Sequence, residues 1–97
     1  MSEEDDEMQP KEIPIDGVLD LHAFRPKEIP DLVETYLDEC QARGITAVRL
    51  IHGKGIGNLR RTVHAILERR SDVESFALAP AERGGWGATL VTLRKKE

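Results

Sequence analysis

The chain has 97 residues, 39% of them hydrophobic, enough for one packed core and too few for two. It carries a formal charge of −4, has no run of about 18 apolar residues that could span a bilayer, and begins with acids where a secretory signal would be basic and then apolar. A single cysteine, Cys40, excludes an intramolecular disulfide, and the expectation is a cytoplasmic monomer with no membrane partner.

The charge is unevenly placed. Residues 1–12 hold six acids (Glu3, Glu4, Asp5, Asp6, Glu7, Glu12) and one base (Lys11), which leaves 12 acids against 13 bases from Ile13 onward. A proline-punctuated acidic segment buries too little apolar surface to offset its ordering entropy, so residues 1–14 read as a disordered tail and 15–97 as one domain.

From Gly17, alternation over Val18-Leu19-Asp20-Leu21-His22 predicts a first strand with Asp20 and His22 on one face. Pro26 and Pro30 mark the start of a helix whose apolar stripe is Ile29, Leu32, Val33, Tyr36, Leu37 and Cys40, closed by Gly44. Its other face bears Glu34, Asp38 and Glu39 and should repel phosphate. Ala47 to Ile51, mostly apolar on both faces, predicts a central strand. The loop His52-Gly53-Lys54-Gly55-Ile56-Gly57 then leads into a second helix with the stripe Leu59, Val63, Ile66 and Leu67, from which Arg60, Arg61, His64 and Glu68 point away. Strands at Val73 to Ala79 and Ala88 to Leu93, with a loop between, complete an order βαβαββ.

Right-handed crossovers make the first three strands parallel with both helices on one face, and the fourth antiparallel to the third. The fold class is therefore α/β, a two-layer sandwich of a four-stranded mixed sheet and two helices. His22, the His52–Gly57 loop and the Gly84-Gly85-Trp86-Gly87 loop converge at one sheet edge, where ligands of open α/β sheets bind.

The glycine loop suits phosphate. Gly53, Gly55 and Gly57 permit close backbone approach, the following helix N-terminus favours an anion, and Lys54 and His52 add charge and donors. The alternative is a plain strand-to-helix turn. Neither the dinucleotide fingerprint, which needs Gly where Asn58 stands, nor the P-loop, which needs Ser or Thr where Gly55 stands, fits. Asp20 and His22 form either a carboxylate–imidazole pair suited to general-base work or a structural pair in which the acid caps a backbone amide. Trp86 either stacks on an exposed base or folds over the sheet edge. The three histidines lack the spacing of a metal site, so no structural zinc is expected.

Taken together, Leu19-Asp20-Leu21-His22, Ile51-His52-Gly53-Lys54-Gly55 and Gly87-Ala88-Thr89-Leu90-Val91 resemble the small MutS-related (Smr) domain over about residues 15 to 94. The resemblance implies a fold like the C-terminal domain of bacterial translation initiation factor three, association with DNA or RNA, and functional roles for Asp20, His22, His52, Gly53, Lys54 and Gly55. Ala23 stands where the family usually has glycine.

Two readings follow. In the first, the domain is an endonuclease that nicks or cleaves branched or structured DNA, or RNA. His22 is the base, His52 and Lys54 offset charge, and a Mg2+ ion, if used, has Asp20 as its one protein carboxylate. In the second, Lys54, Arg60, Arg61, Gly57 and Trp86 hold nucleic acid for a partner enzyme without chemistry. A protein–protein adaptor, resting only on the acidic tail and the acidic face of the first helix, ranks last.

Overall fold

A computed structural model describes residues 13–55, 57–83 and 87–95; the acidic segment through Glu12, and Gly84, Gly85 and Trp86 with the roles expected of them, lie outside the described residues. The elements run β1 (Val18–Asp20), α1 (Ile29–Ala42), β2 (Ala47–Ile51), α2 (Asn58–Arg69), β3 (Val73–Leu78) and β4 (Ala88–Leu93), with 3-10 turns at Leu21–Ala23, Pro26–Glu28 and Ala81–Arg83.

The strand order is β1-β2-β4-β3. β1 and β2 are parallel, and β4 runs antiparallel to both β2 and β3, so β1, β2 and β3 share one direction as expected. What the order adds is that the last strand inserts between β2 and β3. Its central place explains why Ala88, Thr89, Val91 and Leu93 are all buried. No helix of the described residues is long and apolar enough to cross a membrane.

Both helices lie on the same face. Leu19, Val48, Leu50, Val91 and Leu93 from the sheet join Val33, Leu37 and Cys40 of α1 and Val63, Ile66 and Leu67 of α2 in one buried cluster. Burial of each large aliphatic side chain there contributes about 1.5–3 kcal/mol. Pro30 falls in the first turn of α1, where its missing N–H leaves no bond unmade. At the other end Gly44 takes φ +77°, Gly44 N–H donates to the Gln41 carbonyl and Ile45 N–H to the Cys40 carbonyl, which satisfies the last helical carbonyls.

Polar ties fix α1 to the rest. The Tyr36 hydroxyl accepts from Gly17 N–H at 3.0 Å and donates to the Val18 carbonyl at 3.2 Å, which anchors the start of β1. On another side of the helix Glu34 and Asp38 do not form a free acidic face. Arg70, just past α2, donates to Glu34 at 2.8 Å, to Asp38 at 2.6 Å and to Asp72 at 2.6 Å. These bonds raise the affinity of Arg70 for its proton further and, through its guanidinium, hold the Asp72 carboxyl below the usual carboxylate range.

Candidate functional site

The sheet register assembles the site. Asp20 pairs with Ile51, and Ile51 pairs with Ala88, so the residues just beyond these strand ends, Leu21-His22, His52-Gly53 and Gly87, must lie side by side. Gly87 joins them covalently to nothing but seals the corner, because its carbonyl accepts from both His52 N–H at 2.9 Å and Gly53 N–H at 2.8 Å. Those two amides are therefore engaged within the fold. Among the described loop residues, the amides of Lys54, Gly55 and Gly57 make no such backbone bond.

His22 is not on a strand. β1 ends at Asp20, and His22 sits in the 3-10 turn that follows, because the Asp20 carboxylate caps it: Oδ1 accepts from His22 N–H at 2.9 Å. The same oxygen lies 2.9 Å from His22 Nδ1. The capping and the pairing roles are thus both present, in one local motif of three residues. A carboxylate can only accept, so Nδ1 carries a proton, and in the neutral ring the lone pair is on Nε2. Both side chains are more than half exposed, at 58% and 59%. Ala23 has no positive φ, so its methyl group is accepted by the turn without backbone strain.

Nε2 of His22 is directed at Gly53. A β-carbon at Gly53 would overlap that nitrogen, and Gly53 has φ +85°, so both space and backbone require glycine. Gly53 also lines a pocket of about 210 Å³ formed with His52, Gly55, Gly57 and the first turn of α2 (Asn58, Leu59, Arg60).

That helix start is electrostatically unusual. Its N-cap is Gly57 at φ +90°, with no side-chain capping bond and no acid in the first turn. The free amides and helix dipole make such an end positive. Instead of an acid, two guanidinium groups gather there: a β-carbon at Gly57 would lie 2.9 Å from Arg60 Nη2 and 3.2 Å from Arg61 Nη1. Neither of them, nor Lys54, is ion-paired with a described residue. Like charges brought together at a positive helix end form a site that an anion would stabilise.

His52 has a different place from the one expected. It is 4% exposed, with Nδ1 3.0 Å from the Gly53 carbonyl and Nε2 2.8 Å from Thr89 Oγ1. His64 Nε2 lies 2.8 Å from the same hydroxyl, and its ring packs on Phe76 at 4.9 Å between centroids. The protons follow. The Gly53 carbonyl can only accept, so His52 Nδ1 donates; Nε2 then accepts from the Thr89 hydroxyl, which in turn accepts from His64 Nε2–H. Burial lowers the proton affinity of both rings, and Arg60 adds to this by repulsion. His52 and His64 are neutral rings that shape the loop from beneath. Both ring nitrogens of His52 are thus engaged within the fold, while the residue lines the glycine pocket.

His64 does not point away from the core as its helical position had suggested, and Thr89 carried no signal beyond its place beside Gly87-Ala88. Among the described residues no group of three His, Cys, Asp or Glu is placed to hold a metal ion.

Fold and site together define a two-layer α/β domain with an Asp–His pair and a glycine-lined pocket at the ends of neighbouring strands. The chain belongs to the Smr domain family, whose model matches residues 19–94. It is 42% identical over 77 residues to the endonuclease MutS2 of Solidesulfovibrio magneticus, covering 79% of this chain and 10% of that protein. To the endonuclease MutS2 of Thermus thermophilus it is 43% identical over 76 residues, 78% of this chain and again 10% of the relative. The chain thus spans about a tenth of the length of these curated relatives. Among solved structures, the Smr domain of Thermus thermophilus MutS2 superposes with a TM-score of 0.75 at 43% identity, covering 79% of this chain and 96% of that one. YdaL, a stand-alone small MutS-related protein from Escherichia coli, gives 0.74 at 32% identity, covering 84% and 67%.

Proposed function

We propose that this domain binds DNA or RNA and cleaves a phosphodiester bond, with His22 as general base and Asp20 as the group that orients it. One observation carries the reading: the exposed His22 ring is held by Asp20 through Nδ1 and sets Nε2 against Gly53, a residue that lines the glycine pocket. Similarity to domains of proteins named endonuclease MutS2 supports it.

The scissile phosphate sits over Gly55, Gly57 and the first amides of α2. Lys54, Arg60 and Arg61 offset its charge as the transition state forms. His22 Nε2 takes the proton of water or of an RNA 2′-hydroxyl, that oxygen bonds to phosphorus, and the opposite P–O bond breaks with its electron pair leaving on the departing oxygen. If Mg2+ takes part, the second oxygen of Asp20 is the protein ligand at hand, and one carboxylate with substrate phosphates is a common Mg2+ donor set. The ion would supply further neutralisation of the phosphate charge.

The test is cleavage of nicked, branched and single-stranded substrates by purified protein, with and without magnesium. His22→Ala should slow cleavage by about a hundredfold or more with affinity nearly unchanged, and Asp20→Asn should give a smaller loss of the same kind. Normal rates in both variants would exclude the assignment. If the unmodified protein binds these substrates and cuts none, the same cations serve a binding module that acts with a partner enzyme.

A further inference from the structure

Beside the glycine-lined pocket lies a second cleft, of about 220 Å³, that the proposed cleavage does not use. Its walls are Phe24 and Pro26 from the segment leading into α1, Ile29 from α1 itself, and Asn58, Leu59 and Thr62 from α2. The sides are apolar and one edge is polar. There the Thr62 hydroxyl donates to the Asn58 carbonyl at 3.2 Å, and Asn58 Oδ1 accepts from Arg61 at 3.1 Å, which leaves the Asn58 amide nitrogen with no bond to a described residue. Asn58 and Leu59 line both clefts.

We propose that this second cleft receives one unstacked nucleobase of a single-stranded nucleic acid whose phosphate occupies the glycine-lined pocket. The inference rests on the phosphate-binding reading above and adds the form of the substrate. Three observations carry it. Asn58 and Leu59 line both clefts, so a nucleotide spanning these two residues would place its phosphate in one and its base in the other. The cleft is smaller than the roughly 300–1,000 Å³ of sites that enclose a whole small molecule, and fits a single ring system. Its apolar walls with a polar edge match a base, which has apolar faces and a hydrogen-bonding rim, while the unpaired Lys54, Arg60 and Arg61 next to it favour a polyanionic strand over an apolar peptide. A base held in a duplex stack cannot enter such a cleft, so a single-stranded or splayed nucleotide is selected.

The experiment is an NMR titration of the full chain with uridine 5′-monophosphate, ribose 5-phosphate and inorganic phosphate. The nucleotide should bind about tenfold more tightly than ribose 5-phosphate, equivalent to about 1.4 kcal/mol, and shift the methyl signals of Ile29 and Thr62. Ribose 5-phosphate should shift the amides of Gly57 to Arg60 and leave those methyls in place. Thr62→Leu, which fills the cleft, and Phe24→Ala, which opens its opposite wall, should each abolish the tenfold preference without changing affinity for ribose 5-phosphate, with unfolding curves confirming that both variants fold. Equal affinities for the two phosphates in the unmodified protein, with Ile29 and Thr62 unmoved, would overturn the base site and leave the phosphate reading standing. Failure of inorganic phosphate and ribose 5-phosphate to shift any loop amide would overturn both. Shifts at Ile29 and Thr62 from N-acetyl-leucine amide but not from the nucleotide would make the cleft a peptide groove and also refute the inference.

Discussion

His22 Nε2 occupies the space that a β-carbon on Gly53 would need. The last residue of the first motif and the glycine that follows His52 in the second are thereby a single steric unit, built by the Asp20–Ile51 register. Replacing Gly53 with Ala forces either the imidazole or the loop to move, and places alanine at φ +85°. The expected result is a stability loss of about 1–2 kcal/mol from the backbone alone and a fall in cleavage approaching that of His22→Ala. Gly55, with ordinary φ and nothing within 4 Å of a built β-carbon, is the control: Gly55→Ala should leave the unfolding midpoint nearly unchanged.

The Thr89 hydroxyl joins α2 to the loop by linking His64 and His52. Thr89→Val keeps the shape and removes both bonds, leaving a buried acceptor on His52 and a partly buried donor on His64 unpaired. Urea unfolding should show a loss of about 1–3 kcal/mol, and Thr89→Ser should recover most of it. Equal stability of the Val and Ser variants would mean that the hydroxyl bonds contribute nothing.

Salt dependence of nucleic-acid binding should single out the cations at the α2 N-terminus. Lys54→Ala and Arg60→Ala should each flatten the plot of log affinity against log salt by about one unit or less. Arg70 is already matched by Glu34, Asp38 and Asp72, so Arg70→Lys should leave the slope as it is. A changed slope for that variant, or none for the first two, would place the ligand elsewhere.

Acid should destabilise the protein in two stages. His52 and His64 have lowered proton affinity in the fold, so below about pH 6.5 the unfolded chain takes up protons that the folded one resists, and stability falls with pH until the folded-state values are passed. Asp72 is also lowered, by Arg70; its contribution is complete above about pH 3.9 and is lost as pH falls through its folded-state value. Thermal unfolding from pH 8 to pH 3 should show both limbs, and His64→Gln should shrink the first. A flat profile between pH 7 and pH 5 would contradict the neutral state of the two rings.

Periodicity alone determined much of this protein. The stripes at Ile29, Val33, Tyr36, Leu37 and Cys40 and at Val63, Ile66 and Leu67, the mostly apolar β2, and β4 from Ala88 to Leu93 are local patterns, and local patterns report which residues are buried. Motif order also made the family legible, because glycines and histidines at fixed spacing are a property of the chain itself. Strand order was not legible, since nothing local says that β4 inserts between β2 and β3. Nor was the end of β1, where alternation over five residues reads as strand and the Asp20 cap turns the backbone two residues early.

The division is sharpest among the histidines. His22 declared its partner in sequence because Asp20 is two residues away. His52 looked as much like a surface ligand for phosphate, and His64 like a solvent-facing helical residue. Only the tertiary structure engages both rings within the fold, by bringing Thr89 from a strand 37 residues beyond His52 and 25 beyond His64 to stand between them. A side chain's exposure and proton position depend on what packs against it across the fold, and no window of neighbouring residues contains that information.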